Sequence, residues 1–477
     1  MQIAMRLLII VFLSSSTSLA QAFIASPSPI RRRASPFVAV GPLHNTITEL
    51  EGSFSAALLK DHWGHEPILI RGAFSPENNN DTWPSWEMMM ELACEEEGAR
   101  IIRHTPGDLT SYRLDVGPFD DDDLSRSMQE KETNNNNKWT LVVNDVDRFH
   151  PSLSDWVDST FAFIPRWRRD DAQISLAKQG GGIGPHVDNY DVFLIQTSGN
   201  REWQVGLNKV SAWDELDSAV PEIPVRILQD WDQRESVSLV LEPGDVLYIP
   251  PRVPHCGTAM TDHCMTLSVG CRAPSATELV SRLAEGLSES VASHAVQRYQ
   301  DADLLLQTKS SHELTDTIKN EMKKLVVNAM HEILEDDDQW DALVGRIVTE
   351  PKRPQEDYPL PLVETEWRDE LGIWGVPDKA VEAVRNGEGA LYRAEGVSSA
   401  YSRVHDNTYR LFMNGAKFEL TVAEEETEAV QSLLSAIVYA PALTAEILYP
   451  LSHQPVVLDL LENLLEEGLL YGSSDDE

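Results

Sequence analysis

Six short β-rich runs between residues 171 and 273 set the strongest limit on what this chain can fold into. They are residues 172–176, 191–196, 202–206, 236–241, 245–250 and 265–270. Glycine, proline and asparagine stand between them, and many short strands with such turns are typical of a sandwich, barrel or jelly roll. The sequence therefore predicts a compact β core in the middle of the chain.

The segments before and after this core have different secondary-structure patterns. Residues 45–170 mix helical and strand-like patterns, with a short buried strand predicted at 67–72. A capping box from Ser275 to Glu278 then starts amphipathic helices that continue to residue 347. The pattern predicts an α+β protein in which a helical domain follows the β core.

A small last domain is predicted after a proline-punctuated linker. It carries short strand patterns at 390–393, 408–412 and 417–420 and ends in an acidic tail. The predicted order is a presequence, a domain containing the β core, a helical domain, a linker and this last domain: residues 1–44, 45–273, 274–350, 351–361 and 362–477.

The first residues have the composition of a targeting segment. Residues 1–48 contain no Asp, Glu or Lys, and Arg6 precedes a short apolar run and an Ala-x-Ala-like ending at 20–22. Residues 24–40 then resemble a transit peptide, with arginines at 31–33. This bipartite arrangement favours a plastid over a mitochondrion or secretion, and no later run is long enough for a transmembrane helix.

Charge and cysteine usage exclude some classes of protein. The 477 residues carry a net charge of −38, so direct DNA binding by a broad basic face is not expected, whereas a basic protein partner would be attracted. The four cysteines form no CxxC pair and no disulfide framework. They indicate neither a zinc finger nor a thioredoxin-like site.

A candidate metal site comes from two separate motifs. His186 and Asp188 follow a glycine-rich run, and on a strand their side chains would point the same way. His255, behind a Pro-Pro-x-x-Pro turn, supplies a third ligand from a distant strand. Two histidines and one carboxylate form a facial triad suited to Fe(II), with positions left open for other ligands.

Arg201 is the candidate for binding an organic anion beside this metal. It lies 15 residues after His186, at the start of a predicted strand. A planar guanidinium pairs bidentately with a carboxylate. Arg201 could thus hold the far carboxylate of 2-oxoglutarate while the oxo-acid end binds the metal, although a surface arginine after a hairpin turn would have the same local sequence.

With these motifs, the chain resembles the JmjC-domain ribosomal oxygenases of the cupin superfamily, and most of all the bacterial ribosomal protein arginine hydroxylases. The resemblance covers roughly residues 45–475 and rests on several segments together. They are 62–71, 139–146, 165–171, 180–206 and 247–255.

The resemblance implies a double-stranded β-helix core, a helical dimerisation domain and a winged-helix-like C-terminal domain. It implies Fe(II) on His186, Asp188 and His255, with 2-oxoglutarate and O2 as cosubstrates. It also implies that Arg201, Ser175 and Thr266 lie in the 2-oxoglutarate pocket and that Tyr190 faces the substrate. The substrate implied is a basic large-subunit ribosomal protein that is hydroxylated on an arginine. Thr266 departs from the polar amide that is usual there.

Three other functions fit parts of the sequence. Another JmjC activity, histidine hydroxylation or lysine demethylation, would use the same triad, but histone substrates suit the presequence poorly. A non-catalytic cupin scaffold would be favoured by loss of a ligand or of Arg201, and all four residues are present. An isomerase-type cupin would want more histidine ligands.

Overall fold

The computed structural model describes residues 47–474 apart from fourteen gaps. These are residues 53, 56–59, 80, 96–97, 121–123, 125–137, 212–214, 216–218, 221–225, 230–234, 290–296, 300–313, 352–370 and 452–453. The presequence and nearly all of the predicted linker lie outside the described residues, so both stay predictions.

A large sheet of nine strands organises the first half of the chain. In sheet order the strands run β1-β2-β10-β7-β12-β6-β5-β3-β4. Their bounds are β1 Thr48–Glu51, β2 Ile68–Arg71, β3 Arg100–Thr105, β4 Asp108–Val116, β5 Lys138–Val143, β6 Arg169–Ala177, β7 Asp191–Ser198, β10 Val246–Ile249 and β12 Cys264–Cys271. All pairings are antiparallel except that of β1 with β2.

A smaller sheet of three strands faces it. The strands run β11-β8-β9 and span His255–Ala259, Arg201–Gly206 and Ser236–Leu241. Leu194 and Leu247 of the large sheet pack in one apolar cluster with Trp203 and Leu239 of the small sheet. Two facing antiparallel sheets joined in this way form the predicted double-stranded β-helix, and all six predicted strands of its core are confirmed.

The outer face of the large sheet is covered by three helices, α1 Trp86–Glu95, α2 Val146–Phe149 and α3 Pro151–Thr160. Side chains alternate along a strand, so Ile174 and Leu176 of β6 join this outer core, together with Leu153 and Val157 of α3. Ser175, between them in sequence, is left to face the space between the two sheets. This alternation positions the polar residues of the site.

Among the described residues, three helices follow the β core: α4 Ala276–Glu289, α5 Asp316–Leu334 and α6 Asp337–Thr349. The predicted capping box is present, since Glu278 N–H donates to Ser275 Oγ at 3.1 Å and Ser275 N–H donates to Glu278 Oε2 at 2.7 Å. Residues between α4 and α5 fall largely outside the described part. None of the helices in the described residues is long and apolar enough to cross a membrane.

The last part of the chain packs around its own apolar cluster. Its helices are α7 Pro377–Arg385, α8 Thr427–Tyr439, α9 Ala445–Leu448 and α10 Pro455–Glu466. Its strands are β13 Ala390–Arg393, β14 Ser399–His405, β15 Thr408–Met413, β16 Ala416–Thr421, β17 Ala442–Leu443 and β18 Leu470–Ser473, in sheets β17-β13-β18 and β14-β15-β16. The three predicted strands are confirmed, while a winged-helix-like arrangement stays a prediction.

Candidate active site

The segment that carries His186 and Asp188 is not the strand that the sequence predicts. It runs between β6 and β7 and pairs with β11 at both ends: His186 and His255 exchange backbone hydrogen bonds of 3.0 and 2.9 Å in an isolated bridge, and Gly180 and Gly181 form bonds of 2.7 and 2.9 Å with Ala259. A Cβ on Gly181 would lie 2.2 Å from the Trp139 carbonyl oxygen, and one on Gly182 would lie 2.3 Å from that of Gly257. The glycine run therefore lets the segment pass very close to β5 and β11, and this path prevents a regular strand here.

The three predicted ligands nevertheless converge. Ligand atoms of His186, Asp188 and His255 all lie within 4.8 Å of one another. Asp188 Oδ2 is 3.4 Å from His255 Nε2. His255 is fully buried at the first position of β11, and the cross-strand bridge brings His186 beside it, with ring centroids 4.3 Å apart. The set of two imidazoles and one carboxylate fits an Fe(II) triad.

Both imidazoles are oriented for binding through Nε2. His186 Nδ1 donates to the Gly184 carbonyl at 2.8 Å, and His255 Nδ1 donates to the Val253 carbonyl at 3.0 Å. A carbonyl oxygen can only accept, so these bonds place the ring proton on Nδ1 and leave the Nε2 lone pair for a metal. The bonds to the main chain also fix the ring planes before any metal arrives.

The charge states of the site suit a cation. Burial and the neighbouring His255 lower the pKa of His186, which keeps this imidazole neutral. Burial alone would raise the pKa of Asp188, but the adjacent rings of His255 and His186 and the hydrogen bond from Tyr190 outweigh it and lower that pKa. The site therefore offers the neutral imidazole of His186 and the carboxylate of Asp188 to a cation, beside the ring of His255.

Arg201 lies between the sheets, as expected of an anion-binding residue. Only 1% of it is exposed. Its Nε and Nη2 form no hydrogen bond within the described residues, and its guanidinium lies 5.9 Å from the centre of the Trp203 ring. A buried guanidinium without partners is costly, so a carboxylate ligand would satisfy a need that the described residues leave unmet.

Ser175 and Thr266 lie opposite each other on β6 and β12, facing the same inner space. The Thr266 hydroxyl donates to Gln196 Oε1 at 2.8 Å, and the Ser175 hydroxyl lies 3.5 Å from the Thr266 carbonyl. The hydroxyl of Thr266 is thus engaged by Gln196, which the sequence did not single out. Its role toward 2-oxoglutarate stays a prediction.

Thr140 is a further residue that sequence reasoning missed. It is fully buried on β5, and its hydroxyl forms no hydrogen bond within the described part of the chain. Its strand partner Ala177 packs with Ala259, which is the strand partner of Arg201. The available signal was one polar residue inside the apolar run 139–143.

A polar cleft opens beside the triad. Tyr190, whose phenol hydrogen-bonds Asp188, lines this cleft of about 200 Å³. None of the three triad residues lines the cleft, and Tyr190 connects the cleft to the triad through its hydrogen bond to Asp188. Asp170 and Asp171 at the start of β6 lie close to Tyr190 across Gly270. Both acids belong to the segment 165–171, and the sequence alone does not place them beside Tyr190 because that position depends on strand pairing.

Comparison with known proteins fits this geometry. The family model for the JmjC domain matches residues 157–279. A ribosomal protein uL16 3-hydroxylase from Escherichia coli is 30% identical over 419 residues, covering 86% of this chain and 95% of the relative. A probable ribosomal oxygenase from Haemophilus influenzae is 29% identical over 380 residues, covering 77% and 83%.

Solved structures show the same architecture. The E. coli ribosomal oxygenase YcfD in complex with cobalt and 2-oxoglutarate superposes with a TM-score of 0.62 at 26% identity, covering 88% of this chain and 98% of the other. The same enzyme has also been solved with cobalt and succinic acid, with a TM-score of 0.60. With its triad, its buried arginine and its jelly-roll core, the chain belongs to the ribosomal oxygenase family of JmjC-domain, 2-oxoglutarate-dependent enzymes.

Proposed function

We propose that this protein hydroxylates an arginine side chain of ribosomal protein uL16, using Fe(II), 2-oxoglutarate and O2. The observation that carries the proposal is the buried guanidinium of Arg201, whose Nε and Nη2 have no hydrogen-bond partner among the described residues. It lies 5.9 Å from the centre of the Trp203 ring, which in turn lies 5.8 Å from the ring of His255. The E. coli relative named a uL16 3-hydroxylase supports the substrate, and position 3 of an amino acid is its β-carbon.

The residues of the chain would divide the work as follows. His186, Asp188 and His255 would hold Fe(II), and Arg201 would hold the far carboxylate of 2-oxoglutarate. When bound, Fe(II) would activate O2, the oxidant, and 2-oxoglutarate would supply two electrons: one oxygen atom would enter succinate as CO2 leaves, and the other would enter the hydroxylated C–H bond. The protein contributes orientation and a space closed off from water by apolar side chains such as Leu194 and Leu239.

An arginine target suits the cleft beside Tyr190. Burial, Asp188 and the charge of Asp171, which lies in this cleft, raise the pKa of the Tyr190 phenol, while Arg100 in the same cleft acts against them. A carboxylate pairs bidentately with a guanidinium. The phenol ring would lie along the methylene stem, so that the β-carbon points toward the triad.

The direct test is anaerobic loading with Fe(II) and 2-oxoglutarate, then O2-dependent succinate release with peptides that tile uL16. We expect one peptide to stimulate release and to gain one oxygen at arginine. Asp171→Asn should raise the KM for that peptide about tenfold, because one charge-assisted hydrogen bond is lost. Hydroxylation at histidine, or formaldehyde release from a methylated lysine, would instead identify one of the other JmjC activities.

Replacing Arg201 by methionine tests the cosubstrate site. The side chain keeps its length and loses its bidentate donor pair, so the KM for 2-oxoglutarate should rise about 100-fold. Arg201→Lys is the matched comparison and should have an intermediate effect, because it keeps the charge without the planar fork. An unchanged KM in Arg201→Met would show that another residue binds the far carboxylate.

We also propose that α5 joins two copies of the chain. This helix of 19 residues buries only Ile333 within the monomer, while Met322, Val326 and Val327 are about half exposed. Light scattering after gel filtration should give twice the chain mass. Val326→Asp should shift the protein to monomer, and Asn328→Asp, away from that apolar face, should leave it dimeric. A monomeric wild type would contradict the proposal.

A further inference from the structure

We propose that the C-terminal domain forms the far wall of the substrate cleft and binds the polypeptide segment next to the hydroxylated residue. This inference rests on the proposed function and concerns a surface whose residues lie outside the sequence motifs around the triad. The cleft that Tyr190 and Asp171 line on the core side is lined on the other side by Gly396, Ser398 and Asn414.

The far wall has a defined shape. Gly396 has a φ of +70°, and a Cβ there would lie 2.4 Å from the side chain of Arg148 in α2, so the loop passes directly over this helix. Ser398 N–H donates to Asn414 Oδ1 at 3.0 Å, and Asn414 N–H donates to the Ser398 carbonyl, also at 3.0 Å. These two bonds hold Ser398 and Asn414 as one unit at the cleft.

The wall is also fastened to the core. Arg166 Nε donates to the Val397 carbonyl at 3.2 Å, in the middle of the lining loop. Arg393, at the end of β13 just before that loop, pairs with Asp158 of α3. Gly415 N–H donates to Thr349 Oγ1 of α6 at 3.1 Å. The lining residues are therefore held from three sides, as a binding surface requires.

The chemistry of this wall suits a polypeptide. Ser398 and Asn414 are each half-buried and line the cleft, so the Ser398 hydroxyl and the Asn414 Nδ2 can be reached from it. A hydroxyl and an amide NH2 can pair with main-chain carbonyl and N–H groups of an extended segment. The cleft is lined by four acids and four arginines, so its charges balance, and a segment that pairs mainly through its main-chain groups fits this wall.

Two variants with opposite expected effects test the wall. Ser398→Trp fills the cleft and should weaken binding of the uL16 peptide at least about tenfold, equivalent to about 1.4 kcal/mol. Asn414→Asp keeps the acceptor for Ser398 N–H, tolerates the φ of 45° and adds a negative charge, so it should tighten binding of the basic peptide about threefold. Ser432→Trp, on the exposed outer side of α8, is the matched control.

Binding is measured by fluorescence anisotropy of the labelled peptide on enzyme loaded with Mn(II) and the inert analogue N-oxalylglycine. The affinity for the analogue and the melting temperature should be unchanged in all three variants. Peptide affinity that neither cleft variant alters would overturn the inference. Wild-type binding without hydroxylation would refute the proposed function while the variants still decide the wall, and no wild-type binding to any uL16 peptide would overturn both.

Discussion

Asp188→Ala is expected to abolish Fe(II) binding at micromolar metal and to lower turnover at least about 1000-fold, equivalent to about 4 kcal/mol. Asp188 is the only carboxylate of the triad, and its lowered pKa keeps it charged at neutral pH. Without it, only two imidazoles face a divalent cation in a half-buried site, and no carboxylate of the triad offsets the charge. Anaerobic calorimetry with Fe(II), and the visible spectrum with Co(II), measure this directly.

The control for this prediction is Asp406→Ala, which removes an exposed carboxylate of the C-terminal domain. It should leave the metal affinity and turnover unchanged. A Co(II) spectrum of normal intensity in Asp188→Ala would show that the metal is held elsewhere. That result would also contradict the division of work between the triad and Arg201.

The triad was predictable because its chemistry is local in sequence. His186 and Asp188 stand two residues apart, and His255 follows a distinctive proline turn. The strand predicted for His186 and Asp188 was wrong because alternation on a strand was only one way to make the two side chains converge. In the structure, the close approach of Gly181 and Gly182 to neighbouring carbonyls decides the path of the chain.

The rest of the site depends on pairing between distant strands. Thr140 reaches the region of Arg201 through Ala177 and Ala259, two alanines that carry no functional signal of their own. The far wall of the cleft lies more than 200 residues from Tyr190, and no periodicity relates Ser398 to the triad. Patterns of apolar residues therefore gave the elements of the fold, whereas the composition of the cleft requires their packing.

The same packing creates a buried ion cluster that no sequence pattern indicates. Asp158 of α3 pairs with Arg166, Arg169 and Arg393, and these three guanidiniums are each less than 8% exposed. Burial lowers the pKa of both Arg169 and Arg393 to about 10, and the charge of Asp158 acts against this effect. One carboxylate thus holds three buried cations, one of which comes from the C-terminal domain.

Asp158→Asn should therefore destabilise the protein by about 4 kcal/mol, because three cations lose their shared counter-charge in a buried place. Burial would raise the pKa of Asp158, but the three arginines outweigh it and lower that pKa. A carboxyl with a lowered pKa in the folded state stabilises above its unfolded value of about 4 and ceases to do so as the pH falls. The difference between wild type and variant should thus be full at pH 7 and shrink below about pH 4.

Urea unfolding, followed by tryptophan fluorescence at several pH values, measures this difference. Asp155→Asn is the matched control on the same helix, since burial and Asp158 raise the pKa of Asp155 and its charge is already unfavourable. That variant should be neutral or slightly stabilising. A loss of stability in Asp158→Asn that is no larger than in Asp155→Asn, or that persists unchanged to pH 3, would show that the shape of the side chain matters and its charge does not.

Because Arg393 belongs to this cluster and precedes the loop of Ser398, Asp158→Asn should also weaken binding of the uL16 peptide.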